Sequence, residues 1–313
     1  MPPDYLIQTL SFASIDYQNP FLQKMHKDAD DTQLIAKLRQ FGQIIPLLVL
    51  EKLNGTYQLL ANFTHFEALK LLRVEHAICR LLPHSIDPFY CYAMQVLHGW
   101  DELQVSPILQ AHLLQQAQRD CTTTELLSIL SLMGHKPHQH VADELIAVLS
   151  LSNEAQLNLH RGILAAKSGK LMQRLSHQDQ DSVVKFLRIY RPGGSKQYKL
   201  LEMLTELVLR LNTPAASLLQ KWMPTGQEEK VDNSPQQMHN LLRELAESCW
   251  PEKTRMKEQF RRFASLLVLP QNVSLSPSPS FEDESCTLSL RFSTSEELQN
   301  KWEKIRSLLM NKE

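Results

Sequence analysis

The sequence predicts an α+β protein: an α+β N-terminal domain, an all-α middle domain, and a small C-terminal module containing two strands and a helix. Three observations predict it. Residues 1–95 alternate short strand-like and helical segments. Residues 96–222 are almost wholly helical in pattern. A polar linker at 223–235 then leads to residues 236–313, where strand and helix signals return together.

In the first part, Leu34, Ile35, Leu38 and Phe41 fall at helical spacing within Thr32–Phe41, and Gly42 follows as a stop. Leu47–Leu50 and Tyr57–Leu60 read as strands joined through Asn54-Gly55, which supplies the positive φ angles of a tight hairpin. Thr64–Leu72 reads as a helix burying Phe66, Leu69 and Leu72, and Ala77–Leu82 as a further strand. In the middle part, helix breaks are expected at Ser106-Pro107, Gly134-His135, Ser152-Asn153, Gly162, Gly169 and Pro192-Gly193-Gly194. Leucines three and four residues apart (Leu126, Leu127, Leu130; Leu200, Leu204, Leu207, Leu211) mark buried helix faces. Beyond the linker, helices are expected at 236–248 and 252–268, strands near 272–276 and 286–293 around the loop Ser276–Ser280, and a final helix capped by Ser295. Leu288, Leu290 and Phe292 alternate as on a one-sided sheet, with Leu298, Trp302, Ile305 and Leu309 as the helix stripe facing it.

Composition narrows the function classes. Of 313 residues, 43% are hydrophobic and 21% charged, as in a folded soluble chain, and no apolar run is long enough to span a membrane. The net charge of −1 names no partner, but residues 161–199 carry nine Lys or Arg against two Asp. Such a stretch either attracts phosphates or forms a solvated helix face. Five scattered cysteines without a C-x-x-C pair point to reduced thiols, hence a cytoplasmic chain. His135, His138 and His140 lack a cysteine or carboxylate to complete a metal site, and 138 and 140 are expected on different helix faces. His65 and Glu67, two residues apart on a helix, make no acid–base pair.

The order of helix, Gly42-Gln43-Ile44-Ile45-Pro46, hairpin, and a strand running into a helix at Leu60–Ala68 resembles the ParB/Spo0J/sulfiredoxin superfamily. Ile15-Asp16-Tyr17-Gln18-Asn19-Pro20 is similar to that family's opening, and Ser106–Ala111 to the start of its DNA-binding domain. The resemblance covers residues 10–190 and rests on order and spacing. It implies a pocket in which a Gly-Glu-Arg-Arg signature at a helix N-terminus cradles a nucleoside triphosphate. Here that stretch is Asn62-Phe63-Thr64-His65, without the glutamate and both arginines. The proline loop, Gly42 to Ile45 and Pro46, lacks the glutamine before proline. A third family signature, which supplies magnesium ligands, corresponds to His98-Gly99-Trp100-Asp101-Glu102. Neither CTP nor magnesium is therefore expected to bind tightly, and CTP hydrolysis is not expected. The helix N-terminus, capped by Asn62 or Thr64, is left as a weak anion site. A sulfiredoxin-like enzyme is disfavoured because Phe63 or Thr64 stands where that branch carries cysteine.

The resemblance also implies a helix-turn-helix: Thr124–Leu132, the turn Met133-Gly134-His135, and a second helix from Pro137 to Leu149. Val141, Leu145, Val148 and Leu149 form its buried stripe. His138, Gln139, Ala142 and Asp143 are left to face double-stranded DNA, and Lys136, Arg161, Lys167, Lys170 and Arg174 to hold phosphates. The second helix has no arginine, and Leu130 stands where such motifs carry alanine. The expected function is ParB-like DNA binding in partition, nucleoid organisation or regulation, without CTP-driven clamping. A homodimer through 236–313 and a partition ATPase are expected partners, and a membrane is not. A protein-interaction scaffold with vestigial DNA binding remains the alternative, and a nuclease- or kinase-type enzyme a weaker one.

Overall fold

The structure, a computed structural model, describes residues 6–17, 32–224, 233–267, 269, 273–278 and 285–310, the side chains of 307–310 excepted. Two compact units divide the chain, Met1–Pro235 and Gln236–Glu313. The α+β class holds. The expected linker residues 225–232, the Gln18–Pro20 part of the family opening, Pro279 and Ser280 of the loop, and the Leu309 side chain lie outside the described residues.

The first unit begins with β1 (Leu6–Ser11), β2 (Ile15–Asp16), α1 (Thr32–Phe41), β3 (Leu47–Glu51), β4 (Tyr57–Ala61), α2 (Phe63–Leu71) and β5 (His76–Leu82). The sheet order is β1-β5-β3-β4-β2, with β3 antiparallel to β4 and parallel to β5. Leu47, Leu48 and Val49 are wholly buried in the central strand, as expected of a strand covered on both faces. Gly42 ends α1 at φ +71, its N–H returning to Leu38 O. In the hairpin only Gly55 has positive φ, not the Asn54-Gly55 pair. Lys52 O accepts from Gly55 N while Asn54 Oδ1 takes the N–H and hydroxyl of Thr56, a turn closed by a bulged glycine. Leu72, expected in the core, is the half-buried cap residue that ends α2.

A helical array follows: α3 (Pro88–His98), α4 (Trp100–Leu103), α5 (Pro107–Asp120), α6 (Thr123–Leu132), α7 (Gln139–Ile146), α8 (Asn153–His160), α9 (Ala166–Met172), α10 (His177–Tyr190), α11 (Gly194–Leu211) and α12 (Ala215–Leu219). The expected boundary at 95/96 falls inside α3, which packs Cys91 and Met94 on the sheet residues Leu48, Leu60 and Leu82. Caps fix the helix starts: Asp87, Ser106, Ser152 and Ser176 each accept a first-turn N–H, and Thr122 with Glu125 forms a reciprocal capping box. Gly169, expected as a break, sits buried inside α9 beside Leu151 and Leu159, where packing outweighs its low helix propensity. Leu211 is exposed rather than part of the buried stripe.

Buried glutamines close the breaks between helices. Gln156 donates to the carbonyls of Leu149 and Leu151, Gln180 joins Ser152 N to Met172 O and Leu175 O, and Gln197 joins Ala165 N to Ile163 O and Pro192 O. Each satisfies loop backbone groups that burial would otherwise leave unpaired.

The second unit contains most of α13 (Ser234–Cys249), then α14 (Pro251–Leu266), the antiparallel pair β6 (Val273–Pro277) and β7 (Cys286–Leu290), and α15 (Ser295–Met310). Leu288 and Leu290 alternate as expected, but Phe292 lies past the strand and Trp302 is 55% exposed, so neither belongs to a buried stripe here. The cap of α15 is Thr294, not Ser295: its hydroxyl accepts Glu297 N while Glu297 takes Ser293 N.

Gly99 is where α3 meets the sheet. A Cβ there would lie 2.9 Å from Gln95 O and 3.1 Å from Ala61 Cβ, both parts of the fold unable to retreat easily. Gly99→Ala is expected to lower stability by about 1–3 kcal/mol through overpacking. Urea denaturation checks it, and an unchanged midpoint contradicts the packing described.

Candidate functional site

Strand β4 passes into α2 through Asn62, held in the left-handed region at φ 64. The backbone donors at the start of α2 point outward, as they do at any helix N-terminus, and attract negative charge. A carboxylate of the chain itself meets them. Glu102, on α4, accepts Phe63 N through Oε2 at 3.1 Å and Thr64 N through Oε1 at 2.8 Å. Asn62 holds the N-cap position, but neither its side chain nor that of Thr64 makes a capping bond. The Asn62 side chain turns instead to His98, accepting from Nδ1 at 2.7 Å and donating to the His98 carbonyl.

A cavity of about 650 Å3 opens beside this contact between β4 and helices α3 and α5. Phe63 lines it, stacked on Tyr17 at 4.8 Å, and Glu102 forms a polar corner. Burial pushes the Cys91 thiol on its wall up to about 11, so it is no nucleophile at neutral pH. Of the other positions expected at a nucleotide pocket, His65 is half-buried on α2. Gly42 and Ile45 are placed by Gln43, whose amide bonds both backbone groups of Ile78 and the Ile45 carbonyl. Gln43 thus pairs with β5 just ahead of the β3 ladder, as one more strand residue would, a role its position in the proline loop did not announce. The two outward N–H groups at the start of α2 are already taken by a carboxylate, and a second anion placed there would meet its charge.

The two-helix unit at 123–146 is built as a turn of defined geometry. Gly134 takes φ +78, with Gly134 N bonded to Ser131 O and His135 N to Leu130 O, the paired bonds of a glycine-ended helix. Leu130 is fully buried. His135 bonds Gln110 at 2.9 Å, and Gln110 in turn donates to Leu103 O, anchoring the turn to α5 and α4. The second helix starts at Gln139, not Pro137: His138 is its extended cap at φ −123, and the Lys136–His138 turn is closed by His138 N to Lys136 O. Its end is a tighter 3-10 turn, Ala147–Ser150, rather than α-helix to Leu149.

These bounds revise the DNA-facing set. Ala142 is fully buried and cannot face a ligand; helix α7 packs that side on α5. Val148 is buried while Val141, Leu145 and Leu149 are only partly so. His138 and Asp143 are exposed and Gln139 partly so, with Gln139 Nε2 bonded to Asp143. His138 and His140, expected apart, stack at 5.4 Å because His138 lies before the helix. Among the described residues no three possible metal ligands cluster. Lys136, Arg161, Lys167, Lys170 and Arg174 are all exposed, but the Lys170 ammonium pairs with Glu144 on the second helix. Sequence pattern did not reveal that pair, nor that Asp143 and Glu144 share the exposed face.

No protein-family model matches the sequence, and no curated protein matches it. Similar solved structures include the C-terminally truncated chromosome-partitioning protein ParB from Caulobacter crescentus complexed to the centromeric parS site. Identity is 14% over 62% of this chain and 98% of that one, with a TM-score of 0.32. The same protein complexed with CTP-γ-S matches at 13% identity over 58% and 98%, TM-score 0.23. A Pnob8-like ParB-N domain matches at 13% identity over 76% and 98%, TM-score 0.33. Among the described residues no helix is long and apolar enough to cross a membrane.

Burial holds His98, His112 and His135 below their ordinary value of 6.5, with Arg80 adding to the effect at His98. The unfolded chain therefore binds protons that the folded one refuses. Stability from this source is complete above the ordinary histidine range and is lost as pH falls from it towards the depressed folded values. Urea midpoints are expected to fall between neutral pH and about pH 5; a flat profile would contradict the burial of these rings. Glu102→Ala is expected to cost about 1–2 kcal/mol as a lost cap. Glu102→Gln, which keeps one acceptor, costs less; equal, unmeasurable effects would show that the contact does not hold α2.

Proposed function

We propose that the chain is a ParB-like DNA-binding protein that acts through the helix-turn-helix around Gly134 without nucleotide-driven clamping. The observation that carries this reading is the turn itself. A left-handed glycine, a first helix anchored by buried Leu126, Ile129 and Leu130, and an exposed N-terminal segment of the second helix combine the parts that place a helix in a major groove. Lys136, Lys167 and Arg174 supply exposed cations to position phosphates, and His138 and Gln139 sit at the end of α7 that would enter the groove. The Glu102 contact supports the second half of the proposal, since the family's switch needs a free anion cradle at α2. A role in partition, nucleoid organisation or regulation belongs to this reading, as does a nucleoid-associated, cytoplasmic place of action. A homodimer through 236–313 would set two helix-turn-helix units on a palindromic site, and the exposed Phe263, Phe292 and Trp302 offer apolar surface for it. A partition ATPase would be a further partner.

A second reading draws on Asp143 and Glu144. On the exposed face of the second helix Glu144 is neutralised by Lys170, but among the described residues Asp143 has only the Gln139 amide. That carboxylate repels a phosphate backbone and suits a scaffold that grips protein instead.

Selection of genomic fragments followed by anisotropy titration tests the choice. Affinity is expected to fall steeply with salt. Lys167→Ala with Arg174→Ala is expected to flatten the log K against log salt slope by about 1.8, two phosphate contacts' worth. Adding Lys170→Ala changes less, because Glu144 already holds that ammonium. Salt-independent binding, or a slope unmoved by the double variant, sinks the DNA reading.

A further inference from the structure

A groove of about 1160 Å3 runs along α8 and α10 and is closed by α12 and the turn Gln220–Trp222. Its floor is apolar. Val184 and Leu219 are buried, and Ile163 and Met223 are half-buried beside them. Its rim is charged, and the charges are sorted. The cap of α8, Ser152, bonds Gln180 and Asp181, so Glu154 and Asp181 lie together at one end. Arg161, Arg188 and Arg191, from the C-terminal ends of the same helices, line the groove further along, with Lys185 between. Lys185, Arg188 and Arg191 have no ion-pair partner among the described residues.

Cations at helix C-termini favour the helix dipole, which accounts for a basic end but not for an apolar floor beneath it. Duplex phosphates would satisfy the cations and leave that floor wet. Single-stranded nucleic acid asks for aromatic stacking platforms, and no aromatic residue lines the groove. A polypeptide answers both parts, with apolar side chains for the floor and carboxylates for the basic end. From Asp181 to Arg191 α10 rises about 15 Å, the length of a short helical or extended segment. Met223 adds an adaptable surface suited to such docking.

We propose that this groove docks a segment of a partner protein that is apolar along one side and carries Asp or Glu towards the Arg161–Arg191 end. The proposal does not depend on the DNA reading and stands if the chain binds no DNA.

A display library of short random peptides, panned on the full-length chain, tests it. The enriched peptides are expected to combine apolar residues with Asp or Glu. A synthesised member should lose about tenfold or more in affinity towards a Lys185→Glu, Arg188→Glu variant. Both changed side chains are exposed, so circular dichroism should show the fold kept. Met223→Glu, which alters the floor without touching the rim cations, should weaken the same peptide, while duplex DNA affinity stays unchanged in both variants. Failure to enrich, enrichment without acidic residues, or peptide binding retained by the variants overturns the proposal. Loss of DNA affinity without peptide binding would assign the rim to nucleic acid. Loss of self-association instead would assign it to a second copy of the chain, and either outcome overturns the proposal.

Discussion

The carboxylate of Glu102 resting on the N–H groups of Phe63 and Thr64 is the contact on which the rest of the first unit depends. Without it two helix-start donors would lose their acceptor, a lost cap worth about 1–2 kcal/mol. The acid that satisfies them arrives on α4, a single turn joined to α3 by Gly99, whose missing side chain lets that corner approach the sheet. From α4 the connection continues. Leu103 O receives Gln110, Gln110 holds His135, and a Cβ at Gly134 would lie 3.9 Å from the Trp100 ring. One short helix therefore both closes the anion cradle and braces the turn on which the DNA reading stands.

That arrangement gives the altered pocket a physical meaning. A helix N-terminus that keeps its donors free can sense a phosphate, because binding supplies a charge the fold lacks. Once an internal carboxylate has supplied it, a phosphate must displace an intramolecular partner and meet like charge nearby. The stacked rings of Tyr17 and Phe63 line the same corner of the cavity. The proposed DNA binding would then be set by the helices, without gating from the cavity.

The local parts of this architecture were legible in the sequence, and the long-range parts were not. Gly42, Gly55 and Gly134 announced their turns because positive φ is a local demand that few other residues meet. The hairpin, the strand at 76–82 and most helix spans followed from periodicity. Gly169 misled, since its place between Leu151 and Leu159 is decided by residues far along the chain. Pro137 misled in another way: the helix start was set by the His138 carbonyl, which accepts Val141 N, rather than by proline's suitability for a first turn. At the site, the departure of Asn62–His65 from the signature that the resemblance implies was visible, but not which acid meets the helix start. Thr64 and Glu102 stand 38 positions apart, and no pattern distinguishes a glutamate that caps a distant helix from one in solvent. The same holds for Gln43 and for the glutamines that close the helix breaks, whose amides serve backbone groups that only the tertiary fold brings near.

The claim that the cradle is closed from within meets its most direct test in a calorimetric titration of the full-length chain with CTP and magnesium. The account predicts no saturable heat, with any dissociation constant at about the millimolar level or weaker. Saturable binding at micromolar concentration would contradict it, because Glu102 would then have to leave Phe63 and Thr64 at little cost.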